Sequence, residues 1–142
     1  MDGLLADPAF QTYAVCTSIL AIKMLLTGNY TAVMRVRNRG FVNPEDAKTF
    51  GGGSSEQEHP AVAHALRIQR NDLENIPLFW AVGLVFVLNG ASPSAAWWYC
   101  WTFTIARLGH WLAYLNHLQP WRAIFYGIGY ACVLGMAIQI IF

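Results

Sequence analysis

Arg67, Arg70, Asn71 and Glu74 recur at i, i+3, i+4 and i+7 in the stretch 67–79, so a helix there puts all four on one face. The stretch runs straight into the apolar segment 80–88. A charged stripe at the mouth of a membrane helix is costly against lipid, so it must face protein or a water-filled cavity. Two more groups share helical faces: Arg107, His110 and Tyr114 at i, i+3 and i+7, and Arg122 with Tyr126 at i and i+4. With Arg35 added, several arginines accompany one carboxylate, Glu74. Left uncompensated inside a bundle, such a set would be prohibitive. A small anionic ligand with many hydrogen-bonding groups accounts for it. Arginine pairs bidentately with carboxylates. Glu74 can receive an ammonium group and Asn71 an amide, while Tyr114 or Tyr126 donates to further acceptors, so the residue types suit a peptide-like anion. The structural alternative is that Arg70–Glu74 (i, i+4) and Arg107 form ion pairs that hold the bundle together. That alternative leaves the excess of positive charge unexplained.

The elements that must carry these residues are membrane helices. Of the 142 residues, 56% are hydrophobic and only 12% charged, with a mean hydropathy of +0.36, whereas soluble domains carry about 25% charged residues. At about 20 residues per span, the length predicts one all-α domain over 1–142: an integral membrane four-helix bundle with spans at about 10–34, 74–88, 94–115 and 121–142 and one long loop at about 35–66. Pro8 suits the start of the first span, whose only charge, Lys23, reads as a structural residue that pairs in the bundle or snorkels. Phe41–Val42–Asn43–Pro44–Glu45–Asp46–Ala47 reads as a turn and the run 51–55 (Gly-Gly-Gly-Ser-Ser) as a loop tip, before a helix reopens over 61–70. Pro77 lies near the entry of the second span, where a kink is tolerated if neighbours satisfy the freed carbonyl. Trp97, Trp98, Tyr99 and Trp101 read as an aromatic belt. Cys16, Cys100 and Cys132 all lie in apolar stretches without metal-ligand spacing, so they read as small buried residues, and no metal site is expected. The start lacks the basic region of a cleavable signal peptide.

Charge distribution sets the expected topology. The long loop holds Arg35, Arg37, Arg39 and Lys48, and the connection between the third and fourth spans is flanked by His117 and Arg122, whereas the turn between the second and third has no Lys or Arg. Positive-inside logic puts the long loop in the cytoplasm and both termini on the opposite side. The polar faces of the second, third and fourth spans then converge near one depth. Nucleic-acid binding is not expected, because membrane topology already explains the basic cluster. A transporter is disfavoured: no internal repeat is evident and the polar residues stop partway across the bilayer.

Arg35 followed by Phe41–Ala47 in the order given above, then Arg70-Asn71-Asp72-Leu73-Glu74-Asn75-Ile76-Pro77, then Ala106-Arg107 with His110 and Ala113-Tyr114-Leu115, resembles the MAPEG family, the membrane-associated proteins in eicosanoid and glutathione metabolism. The likeness covers nearly the whole chain. Within the family it is to the branch of microsomal glutathione transferase and microsomal prostaglandin E synthase. The resemblance implies a four-helix protomer, a homotrimer, and glutathione held between neighbouring subunits. Arg35, Arg70, Asn71, Glu74, His110, Tyr114, Arg122 and Tyr126 match glutathione-site positions, and Arg67 and Arg107 match structural or flanking ones. Arg122 matches the arginine that stabilises the glutathione thiolate, and Asp46 an aspartate invoked in the isomerase mechanism. Ala123 stands where the synthase has a serine, a change that weakens the isomerase reading more than the transferase one, and the turn Leu118-Gln119-Pro120-Trp121 is one residue shorter.

The expected activity is therefore conjugation of glutathione thiolate to a lipophilic electrophile that enters from the bilayer. The alternatives are a glutathione-dependent peroxidase or prostaglandin-E-synthase-like isomerase and, from another class, a non-catalytic membrane protein that binds lipid or glutathione. The expected location is a bacterial inner membrane or the endoplasmic reticulum.

Overall fold

A computed structural model describes residues 2–142, and its regular structure is helical: α1 (Asp2–Ala6), α2 (Pro8–Asn38), α3 (Pro44–Phe50), α4 (Pro60–Leu88), α5 (Pro93–Leu115) and α6 (Trp121–Ile141). Four of these begin on proline, whose fixed φ suits the first helical position and whose missing N–H is no loss there. Pro120 stands just outside α6 at its N-cap. Among the described residues, α2, α4 and α6 are long and apolar enough to cross a membrane. α5 is long enough at 23 residues and carries Arg107 and His110 within a run rich in aromatic side chains.

Two readings of the long loop change. Of the stretch expected to be a turn at Phe41–Ala47, only 41–43 lies outside a helix: Pro44 starts α3, with Glu45 and Asp46 in its first turn and Lys48 in its last. These charges all complement the helix dipole. The helix expected over 61–70 and the span that follows it are one continuous helix, α4, with Pro77 inside it.

The chain divides into two compact units, one joining the residues up to Ile22 with Glu74–Phe142, the other Lys23–Leu73. In the first, aromatic side chains fill the core. Phe79 stacks on Phe103 with ring centroids 4.3 Å apart, Phe86 meets Tyr99 edge-on at 5.6 Å, and the Tyr13 hydroxyl donates to the Trp80 carbonyl at 2.8 Å. Such aromatic pairs add to simple area burial. α5 and α6 approach closely through glycine: a Cβ on Gly109 would lie 2.7 Å from the Phe125 ring, and one on Gly135 would lie 2.8 Å from Tyr99. The Tyr99 hydroxyl also accepts from Gln139 Nε2 at 2.9 Å.

The second unit is tied by a polar ladder. Lys23 Nζ donates to Asp72 Oδ1, with both side chains buried. Thr27 Oγ1 donates to Asp72 Oδ2 at 3.1 Å, and Thr31 Oγ1 donates to Gln69 Oε1 at 3.2 Å. Lys23, Thr27 and Thr31 are spaced at i, i+4 and i+8, so one face of α2 presents them all. Around the loop, Phe41 stacks on Phe50 at 5.9 Å, and Ser55 N donates to the Phe41 carbonyl at 3.0 Å.

Candidate active site

In the first unit, α5 and the start of α6 bring four of the expected residues together: His110, Tyr114, Arg122 and Tyr126. The tight connection between the helices is what does it. Leu118 N donates to Ala113 O at 2.8 Å and His117 N to Tyr114 O at 3.2 Å, so the chain reverses within a few residues of Tyr114. α6 then starts at Trp121, placing Arg122 in its first turn. The Arg122 guanidinium lies over the Tyr114 ring, 4.6 Å from its centroid, a cation–π contact. His110, buried on α5, meets Tyr114 nearly edge-on at 5.5 Å and lies 6.5 Å from Tyr126. The Gln119 amide completes the arrangement. A guanidinium offers only donors, so the amide presents its oxygen, which accepts from Arg122 Nε at 3.1 Å and Nη2 at 2.6 Å.

This geometry gathers a half-buried guanidinium, an imidazole and two phenols at the amino end of a helix. The positive end of the α6 dipole adds to the charge of Arg122, and both favour an anion. Arg107 is fully buried on α5, and its Cδ packs where a Cβ on Gly129 would meet it at 3.5 Å. An apolar groove of about 190 Å³ also lies in this unit, lined among others by Leu78, Phe103, Tyr130 and Leu134.

The other expected residues are distributed differently. Glu74 is exposed on α4 and takes part in neither of the ion pairs found among the described residues. In the second unit, Arg70 is exposed and Asn71 half-buried. Arg35 Nη2 donates to Glu58 Oε1 at 2.9 Å, while Arg35 Nε and Glu58 Oε2 are buried without a hydrogen bond among the described residues. Asp46, in the first turn of α3, accepts from Asn43 Nδ2 at 3.2 Å.

Three residues escape the sequence reading: Asp72, Glu58 and Gln119. Asp72 has a signal, since a lysine in the middle of an apolar helix needs a carboxylate. Glu58 has none, because only the fold brings it to Arg35, whereas Gln119 stands at i, i+3 from Arg122, a spacing whose meaning depends on the turn between them.

The chain belongs to the MAPEG family, whose model matches residues 13–142. It is 34% identical over 139 aligned positions to prostaglandin E synthase of Homo sapiens, covering 97% of this chain and 91% of that protein. It is 36% identical over 146 positions to microsomal glutathione S-transferase 1 of Homo sapiens, covering 99% and 94% respectively, and to the same extent to that of Bos taurus. The family, together with three helices able to cross a bilayer, makes this an integral membrane protein.

Proposed function

We propose that this protein is a membrane-bound glutathione transferase that conjugates the thiolate of glutathione to a lipophilic electrophile. The observation that carries the reading is the Arg122 guanidinium, held over Tyr114 at the start of α6 beside His110 and Tyr126, in a chain 36% identical to a microsomal glutathione S-transferase 1. A free thiol with a pKa of about 8.5 is mostly protonated at neutral pH, and a neighbouring guanidinium lowers that value. Each unit of lowering corresponds to about 1.4 kcal/mol of preference for the thiolate. Arg122 together with the α6 dipole supplies about one to two units. The nucleophile belongs to the cosubstrate, so no protein residue is covalently modified.

In this reading Arg35, Arg70, Asn71, Glu74, His110, Tyr114 and Tyr126 hold the tripeptide. Arginine suits its carboxylates and Glu74 its ammonium group. The exposure of Glu74 supports a ligand role over an internal ion pair. The apolar groove in the first unit supports an apolar second substrate drawn from the bilayer. The protomer is a single four-helix domain with spans at α2, α4, α5 and α6, the long loop cytoplasmic and both termini opposite, and it assembles as a homotrimer. The basic residues of the loop support that orientation.

A second reading shares the same thiolate: isomerisation of an endoperoxide or reduction of a hydroperoxide, with Asp46 contributing to the isomerase chemistry. The 34% identity to prostaglandin E synthase favours keeping it. Purified protein in detergent, assayed with glutathione against a haloarene, a lipid hydroperoxide and an endoperoxide, separates the two. Conjugation of the haloarene is the expected result. No turnover with any of the three, despite measurable glutathione binding, would mark a non-catalytic binding protein. Arg122→Ala is expected to abolish conjugation while leaving glutathione affinity within about threefold, or about 0.7 kcal/mol; near-wild-type rates would remove Arg122 from the chemistry.

A further inference from the structure

Gln119 lies in the turn that leads into α6, three residues before the arginine to which the proposed chemistry is assigned. Turned oxygen-first, as the donor-only guanidinium requires, its amide meets Nε of Arg122 at 3.1 Å and Nη2 at 2.6 Å, a two-pronged contact along one edge of the guanidinium. The flat face of the same group rests on the Tyr114 ring at 4.6 Å. One edge and one face are thereby fixed. The remaining donors, on Nη1 and the outer hydrogen of Nη2, are left on the opposite edge to meet an anion. A long arginine side chain in a first helical turn otherwise keeps its rotamer freedom, and that freedom blurs where the positive charge sits.

From this geometry we infer that Gln119 is a positioning residue for the reaction: it presents the free edge of Arg122 to the glutathione sulfur. This rests on the reading of Arg122 as the thiolate-stabilising group. The neutral acceptor matters as much as its place. A carboxylate at the same distance would hold the guanidinium equally well but cancel its charge, and the sulfur would then lose the field that keeps it ionised. The short connection between α5 and α6 makes the contact possible, because the Arg122 N–H bonds to Leu118 O at 3.2 Å and so keeps residues 119 and 122 on the same side of one turn. The titratable groups packed around this contact are Tyr114, whose ring lies under the guanidinium, and His110, which packs against Tyr114 and Tyr126.

The test compares wild type, Gln119→Met, Gln119→Glu and Arg122→Ala in detergent. It reads glutathione affinity by calorimetry and the fraction of bound glutathione present as thiolate by its ultraviolet absorbance. Gln119→Met keeps the side-chain volume and removes the acceptor; it is expected to bind glutathione within about twofold of wild type while its ratio of thiolate to thiol at neutral pH falls about fivefold, the equivalent of about 0.7 pH units. Gln119→Glu is expected to lose at least as much thiolate with equal retention of affinity. Retained affinity shows that each variant is folded, which a merely structural role for Gln119 would not allow alongside lost ionisation. If Arg122→Ala loses the thiolate and Gln119→Met keeps it, the positioning role is overturned and the reading of Arg122 stands. If Arg122→Ala keeps the thiolate as well, both fall together.

Discussion

Lys23 illustrates what one residue's chemistry reveals and what it hides. A lysine inside an apolar helix announces that a partner exists, since its charge at the bilayer centre costs about 2.5–3.5 kcal/mol on insertion scales. It does not announce which partner. Asp72 lies 49 positions away in a stretch already crowded with charge, and its burial, at 1% exposure, is a property of helix packing. The pair makes a sharp prediction. Lys23→Met alone leaves a buried carboxylate uncompensated and is expected to destabilise by about 3–5 kcal/mol. The double replacement Lys23→Met with Asp72→Leu is expected to recover most of that loss. Denaturation in mixed detergent micelles measures both, and a double variant as unstable as the single one would show that the pair is not the source. Glu74 behaves in the opposite way. Because it is exposed and outside the ion pairs found among the described residues, Glu74→Gln is expected to leave folding unchanged and weaken glutathione binding about tenfold, the loss of one charge-assisted contact. Unchanged affinity would take Glu74 out of the site.

At the scale of elements, the long helices are legible in the sequence and their details are not. Apolar runs announce α2, α4 and α6, and Pro8 marks where the first of them starts. α3 is easily mistaken for a turn because Asn43-Pro44 is as good a turn signal as a helix start, and only the complementary charges of Glu45, Asp46 and Lys48 tip the balance. The seam between α5 and α6 is hidden for a different reason: glycine in a membrane helix does not say which neighbour comes close. The packing distinguishes the glycines. A Cβ at Gly135 would lie 2.8 Å from Tyr99, whereas at Gly127 nothing lies within 4 Å. Gly135→Ala is therefore expected to destabilise by about 1–3 kcal/mol through overpacking. Gly127→Ala is expected to stabilise by about 0.5–1 kcal/mol through helix propensity. Equal effects at the two positions, in the same unfolding assay, would contradict the seam.

For the whole molecule, the membrane character is legible from composition, because 12% charged residues cannot cover a soluble domain's surface. The candidate site is legible in its residue types and only partly in its arrangement. His110, Tyr114, Arg122 and Tyr126 stand on two helical faces in the sequence, and the tight turn at 116–120 brings those faces together. Arg35, Arg70 and Asn71 lie in the other compact unit, and local spacing has no means of relating them to that cluster. A ligand that engages the folded protein alone must stabilise it. Glutathione at a hundred times its dissociation constant is expected to add about 2.7 kcal/mol, seen as a raised thermal midpoint. The same concentration should add little to a variant carrying both Arg70→Ala and Glu74→Gln, and an equal rise there would place the ligand elsewhere.

The buried pair between Lys23 and Asp72 also sets an order of events at the ribosome. Lys23 sits at the midpoint of α2 (Pro8–Asn38), and that helix emerges while its carboxylate partner is still 49 residues from being made. At about 5–20 residues per second, the nascent chain spends roughly 2–10 s with an uncompensated ammonium in its first hydrophobic segment. During that interval the flanking leucines and isoleucines alone hold α2 in place. Arrival of α4 then locks both segments into the bilayer as a pair, so truncating the message before codon 72 should leave α2 extractable by alkali, whereas extending it past α4 should not.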